Sequence, residues 1–193
     1  MLRTVYTLAA VALLVGLSTT GGSASQATKP AVNPDAATVQ DFVKRVDQYV
    51  ALHKKLEDPL PRLPAQTTPE QIDAHQRSLG KLIQEARKGA RQGDIITVGM
   101  QRFVRNLLRP VFSGSAGLQI KAEIMDKEYK GNVKPVVIGR YPDEVPISTM
   151  PPQVLKSLPQ LPEELEYRFI QTNLILLDPH AHLIVDYMVR AFN

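Results

Sequence analysis

The chain contains no cysteine and no tryptophan in 193 residues, and aromatic residues make up only 6% of it. Without thiols no disulfide can staple the fold, no lipid-bearing cysteine can follow a leader, and thiolate nucleophiles are excluded. Also missing are a G-x-S-x-G elbow and a phosphate-cradling glycine loop, so the usual signatures of serine hydrolases and nucleotide enzymes are absent. A membrane span needs roughly 20 apolar residues, and the apolar run Val5 to Leu17 offers only 13.

That run belongs to MLRTVYTLAAVALLVGLSTTGGSASQA, which has the layout of an export signal: Arg3 as the positive start, the apolar stretch, then small residues from Gly21 to Ala27 for a peptidase. Residues 1–25 are therefore expected to be a signal peptide, and cleavage near Ser25 or Ala27 leaves 193 − 25 = 168 or 193 − 27 = 166 residues. A chain of that size supports one domain with an ordinary core. Loss of Arg3 leaves 22 basic against 19 acidic side chains, a net charge of +3, so the placement of charge is more informative than its total.

Residues 26–35, QATKPAVNPD from Gln26 to Asp35, are polar and proline-bearing and read as a flexible linker. Beyond them the pattern predicts a single α+β domain over 36–193, with a helical part at 36–112 and a β-rich part at 118–193. Three amphipathic helices are expected. In the first, Ala36 to Leu56, the residues Val39, Phe42, Val43, Val46, Tyr49, Val50 and His53 recur every three or four positions. The second opens at Thr68-Pro69-Glu70-Gln71, where threonine serves as N-cap, proline takes the first helical position and Gln71 completes a capping box. Ile72, Leu79, Leu82, Ile83, Ala86 and Ala90 then line one side up to Gly93. The third, Thr97 to Phe112, turns Met100, Phe103, Val104, Leu107, Leu108 and Val111 inward.

After Gly117 the β-branched runs Leu118 to Met125 and Val133 to Tyr141, divided by Lys130-Gly131-Asn132, predict two strands or a loose hairpin. Seven prolines between Pro135 and Pro162 exclude a long helix there and leave room for one helical turn near Pro152 to Leu158. Leu155, Leu158 and Leu161 are expected in the core. The segments Leu165 to Ile170, Asn173 to Asp178 and Leu183 to Tyr187 predict a three-stranded antiparallel meander, with Arg168, Asp178 and Asp186 at the rims or on the wet face. A helix over Leu183 to Phe192 is the competing reading, since Ile184, Tyr187, Met188 and Ala191 also share a helical face.

The run PPQVLKSLPQLPEELEYRFIQTNLILLDPHAHLIVDYM, with GDIITVGMQRFVRNLL before it, resembles a group of exported bacterial proteins of unknown function that close on LPEELEYRF…LILLD…LIVD. The resemblance implies a periplasmic or secreted location and a shared small α+β domain, and it implies no activity.

Three constellations bear on function. Asp178, His180 and His182 offer a carboxylate and two imidazoles in five residues, with His53, His75 and Asp186 as distant helpers for a divalent metal. Pro179 sets a turn among them, so strand alternation fails there, and the competing reading is a hairpin turn with exposed histidines. The second constellation is basic: eight lysines and arginines from Arg77 to Arg109 face only Glu85 and Asp94. Arg102, Arg105 and Arg109 form one helical stripe, and Arg77, Lys81, Lys88 and Arg91 form another. In an exported protein these suit an anionic lipid or wall polymer and not nucleic acid, the alternative being a solvated outer face. Third, the proline series VPISTMPPQVLKSLPQLPEE is either a loop packed on the sheet or a ligand for a protein partner. The carboxylates of Glu163, Glu164 and Glu166 follow Pro162, where a turn in solvent is expected.

Together these features point first to a non-enzymatic exported envelope domain that binds anionic components. A periplasmic metal-binding protein using the D-P-H-A-H segment is the alternative.

Overall fold

The computed structural model describes residues 33–126, 133–145 and 150–193, all of them within one compact unit, Val32–Asn193. Expectations for the leader, for residues 26–32 and for the Lys130-Gly131-Asn132 break lie outside the described residues.

Helix α1 spans Pro34–Glu57, with the Asn33 side chain accepting the Asp35 amide. Helix α2, Pro69–Ala86, starts at the Thr68 capping box with both reciprocal hydrogen bonds made. It ends at Ala86, so Ala90 and Arg91 lie beyond it. Helix α3, Val98–Val111, is capped by Thr97. The fourth helix, α4, occupies Gly114–Asp126, where a strand over Leu118 to Met125 was expected. The helix forms because Ile120 and Ile124 stand four apart and pack on the core. At Gly117 a Cβ would lie 2.2 Å from the Phe112 carbonyl carbon, so only glycine lets α4 fold this closely onto the end of α3. Of the strand expected over Val133 to Tyr141, only Gly139–Arg140, β1, is formed. Helix α5, Pro152–Ser157, is the one turn expected within the proline series.

The remaining strands are β2 (Glu166–Ile170), β3 (Asn173–Asp178) and β4 (Leu183–Met188). With β1 they form an antiparallel sheet in the order β1-β4-β3-β2. The last segment is therefore a strand and not the competing helix.

Both faces of the sheet are covered, which decides where the chemistry sits. Leu174 and Leu176 of β3 join Phe42, Val46, Leu79, Ile83, Val104 and Leu108 in the core beneath the helices. Ile175 and Leu177 pack on the opposite face with Tyr141, Val145, Ile170 and Ile184. Alternation then puts Asp178 on the helical side with Leu174 and Leu176. Asp178 and Asp186, expected at the rims, are both completely buried. Asp186 is held there by backbone amides: Oδ2 accepts from Ile95 and Ile96 at 2.8 Å each, and Oδ1 from Gly93 at 3.0 Å. A carboxylate facing several fixed N–H dipoles is compensated in the interior. Glu164, expected in solvent, is likewise buried and takes a 2.8 Å ion pair from Lys54.

Several expected core positions lie outside it. Val43, Ile72, Leu82 and Leu155 are 42%, 41%, 38% and 51% exposed, because each stands at the margin of its helix's apolar stripe. Val154 and Leu158 are buried in the α5 region, and Leu161 is partly buried against the core.

Candidate metal centre

Tyr49, His53 and Glu57 follow one another at four-residue intervals on α1 and so form a single ridge. The ridge lies against the end of β3 and the turn after it. Asp178 Oδ2 accepts a hydrogen bond from the Tyr49 hydroxyl at 2.6 Å and lies 2.6 Å from His53 Nδ1. Its other oxygen accepts the Ala181 amide at 2.8 Å, closing the turn. With Nδ1 committed to Asp178, His53 presents Nε2 to Glu57 Oε2 at 3.1 Å. Glu57 Oε1 is 3.2 Å from His75 Nε2, on α2, and 3.3 Å from His180 Nδ1, on the turn. Three of the chain's four histidines therefore converge on one carboxylate, with a second carboxylate behind the innermost ring.

Electrostatics follow from that geometry. Burial alone would lower the His53 pKa, but the Asp178 hydrogen bond and the charges of Asp178 and Glu57 raise it on balance. For Glu57 burial pushes upward and is outweighed by His75, His53 and His180, which hold the carboxyl below its usual value. Burial and the adjacent Asp178 push the Tyr49 phenol far upward, so it stays protonated and donates.

Among the described residues, one group of metal-ligating side chains has its donor atoms mutually within 4.8 Å: His53, Glu57 and His180. The ring centroids of His53 and His180 are 5.4 Å apart in an edge-on arrangement. The group borders a cleft of about 590 Å³ walled by Leu60, Leu63, Ile72 and Pro179, with Lys54 and Arg62 also lining it.

Of the residues singled out in the sequence, His180 reaches this cluster and Asp178 stands directly behind it. His182 does not. It ends the turn at φ +51°, stacks edge-on against Tyr141 at 5.5 Å, and leaves Nε2 3.6 Å from Asp143 and without a hydrogen bond. Pro179 and the left-handed backbone at His182 break the alternation that would have put 178, 180 and 182 on one side. The distant helpers divide in the same way: His53 and His75 are in the cluster, whereas Asp186 serves the α2–α3 connection. Glu57 is the member that sequence reasoning missed, although His53 and Glu57 at i and i+4 on a helix carried the signal.

The basic side chains have different partners. Arg77 pairs with Asp73 at 2.7 Å, and Lys88 stands 3.9 Å from Glu85. Lys81 and Arg102 are exposed. Arg105 is half-buried and donates to the Val189 and Arg190 carbonyls, and Arg109 donates to Asn106 Oδ1.

No protein-family model matches the chain, nor does any curated protein or solved structure. Among the described residues no helix is long and apolar enough to cross a membrane.

Proposed function

We propose that this chain is an exported, non-enzymatic domain whose principal site binds one divalent transition-metal ion of the zinc class. His53 Nε2, Glu57 and His180 Nδ1 are the ligands, and His75 is available as a fourth donor. The observation that carries the reading is the convergence of three donor atoms, one each from His53, Glu57 and His180, within 4.8 Å of one another. The two Glu57 oxygens face the two imidazoles, Oε2 at 3.1 Å from His53 Nε2 and Oε1 at 3.3 Å from His180 Nδ1, and closing such a set onto bonds of about 2.0–2.1 Å needs only small side-chain movements. Asp178 supplies what a working ligand set also needs. Its hydrogen bond to Nδ1 holds the His53 ring in orientation and leaves Nε2 as the donor. Two imidazoles and one carboxylate form a borderline-soft set that suits zinc or nickel and not calcium or magnesium. Export is supported by the layout of residues 1–25 and predicts a mature N-terminus near residue 26 or 28, readable by mass spectrometry of the secreted or periplasmic protein.

Titration calorimetry of the mature chain with zinc, nickel and copper tests the site. The expected result is one ion per chain, with affinity lowered at least about tenfold in His180→Ala and in Glu57→Gln, and about 10–100-fold in Asp178→Asn, which alters the support of a ligand and no ligand itself. Identical binding by His180→Ala and the parent protein would move the ion elsewhere. No binding at all would leave the cluster as a hydrogen-bonded brace between α1 and the turn.

A further inference from the structure

A second pocket, sharing no residue with the metal centre, lies where α3, α4 and the segment after β4 meet. It encloses about 580 Å³, and its lining includes Arg105 and Arg109 of α3, Lys121 of α4 and Arg190, but no acidic side chain. Several cations elsewhere on the molecule are matched by carboxylates: Arg45 by Asp41, Lys54 by Glu164, Arg77 and Arg140 by Asp73, and Arg168 by Glu166. In this pocket the partners are different. Arg105 donates to two backbone carbonyls, Arg109 to the Asn106 side-chain oxygen and Lys121 to the backbone oxygen of Asn193. Lys121 is thus taken up by the main-chain carboxyl group of Asn193, and the three arginines share one concavity without an acidic side chain, which is the electrostatic condition for drawing in an anion.

The pocket is also built. The Arg190 backbone adopts φ +49° and donates its amide to Asn173 Oδ1 at 3.3 Å, while Ala191 donates to the Thr172 carbonyl at 2.7 Å. Phe192 then packs on Phe112 with ring centroids 4.4 Å apart and on Phe169 at 5.3 Å. The Arg105 side chain ties Val189 and Arg190 back to α3, so the cations are presented from elements already fixed in place. Phe112 and Phe192 give the same concavity an apolar wall, beside Val189, which is 39% exposed.

We propose that this pocket binds the phosphate group of an amphipathic anion, with the arginines taking the phosphate oxygens and Phe112, Phe192 and Val189 taking the adjoining apolar portion. Planar guanidinium groups bind two oxygens at once, and the aromatic wall discriminates an amphiphile from a bare ion. The phosphate comes either from an anionic lipid headgroup or from a soluble phosphate ester, and the two sources are separable by experiment.

The mature chain would be co-sedimented with vesicles of phosphatidylglycerol and, separately, of phosphatidylcholine, while inorganic phosphate is titrated by calorimetry. The pocket variant is Arg109→Gln with Arg190→Gln, both exposed side chains, and the charge-matched control is Lys81→Gln with Lys88→Gln. The expected result is binding that weakens by about tenfold or more in the pocket variant and changes little in the control. Binding to phosphatidylglycerol vesicles without binding to free phosphate supports a lipid headgroup, and binding to free phosphate supports a soluble ester. Equal weakening in the two variants, or binding to neither probe, overturns the proposal.

Discussion

Two buried carboxylates show how a single residue can govern the fold. Asp186 pairs with no cation among the described residues and is satisfied by amides, so removing it leaves the N–H groups of Gly93, Ile95 and Ile96 unmet in the interior. Each unsatisfied buried donor costs about 1–3 kcal/mol, and Asp186→Ala should lower stability by about 3 kcal/mol or more in urea unfolding. Hydrogen exchange of those amides should accelerate ahead of the rest of the core. Glu164 behaves differently because its partner is a charge. Burial alone would raise its pKa, but the hydrogen bond from Lys54, a backbone hydrogen bond and the Lys54 charge hold it below the usual carboxylate value. A depressed acid contributes stability above its unfolded pKa and loses that contribution as pH falls through its folded pKa. Glu164→Gln should therefore be less stable than the parent at pH 7, by about 1 kcal/mol given the exposed lysine. The difference should be smaller at pH 3, below the ordinary glutamate pKa of about 4.3, and should go on shrinking as pH falls through the depressed folded value. Urea melts of both proteins at the two pH values would check the sign.

At the scale of elements, helices α1, α2 and α3 were legible because each couples an apolar period to a start signal, and the terminal strands because β-branched runs of strand length are divided by turn residues. Helix α4 was not. Its sequence mixes β-branched residues with glycine and leaves Leu118 66% exposed, so its helical stripe is reduced to Ile120 and Ile124, and the tight Gly117 contact with α3 is a tertiary fact. The burial of Asp178 was hidden for a similar reason: a strand covered on both faces does not announce which polar residue has a partner waiting on a helix more than a hundred residues away. The metal cluster was half legible, since the histidines were visible but the i, i+4 pair of His53 and Glu57 mattered more than the H-x-H spacing. Gly80 shows how element and site meet. In isolation Gly80→Ala should strengthen α2 by about 1 kcal/mol, but the new Cβ would stand 3.2 Å from the Ala181 carbonyl oxygen. The turn bearing His180 must then shift. The variant should gain less stability than an exposed helix glycine would, and its zinc affinity should fall, a pairing that thermal melts and calorimetry on one sample can read.

For the whole molecule, the candidate ligands matter most for where they come from. His53 and Glu57 belong to the first helix of the described chain and His180 to the last hairpin, so an ion held by them would close a loop of more than a hundred residues and tie the helical layer to the sheet. An ion that binds only the folded chain stabilises it by RT ln(1 + [L]/Kd), about 2.7 kcal/mol at a hundredfold excess over Kd. For a domain of this size each kcal/mol moves Tm by about 2–4 °C, so saturating zinc should raise the midpoint by roughly 5–10 °C. Because the cross-link joins the two layers, the shift should appear as one cooperative transition and not as a separate late phase. Scanning calorimetry with zinc and then with excess chelator would show it, and His180→Ala, which binds more weakly, should shift by less at the same zinc concentration. A zinc-dependent shift of equal size in His180→Ala would mean that the ion stabilises the fold from some other surface.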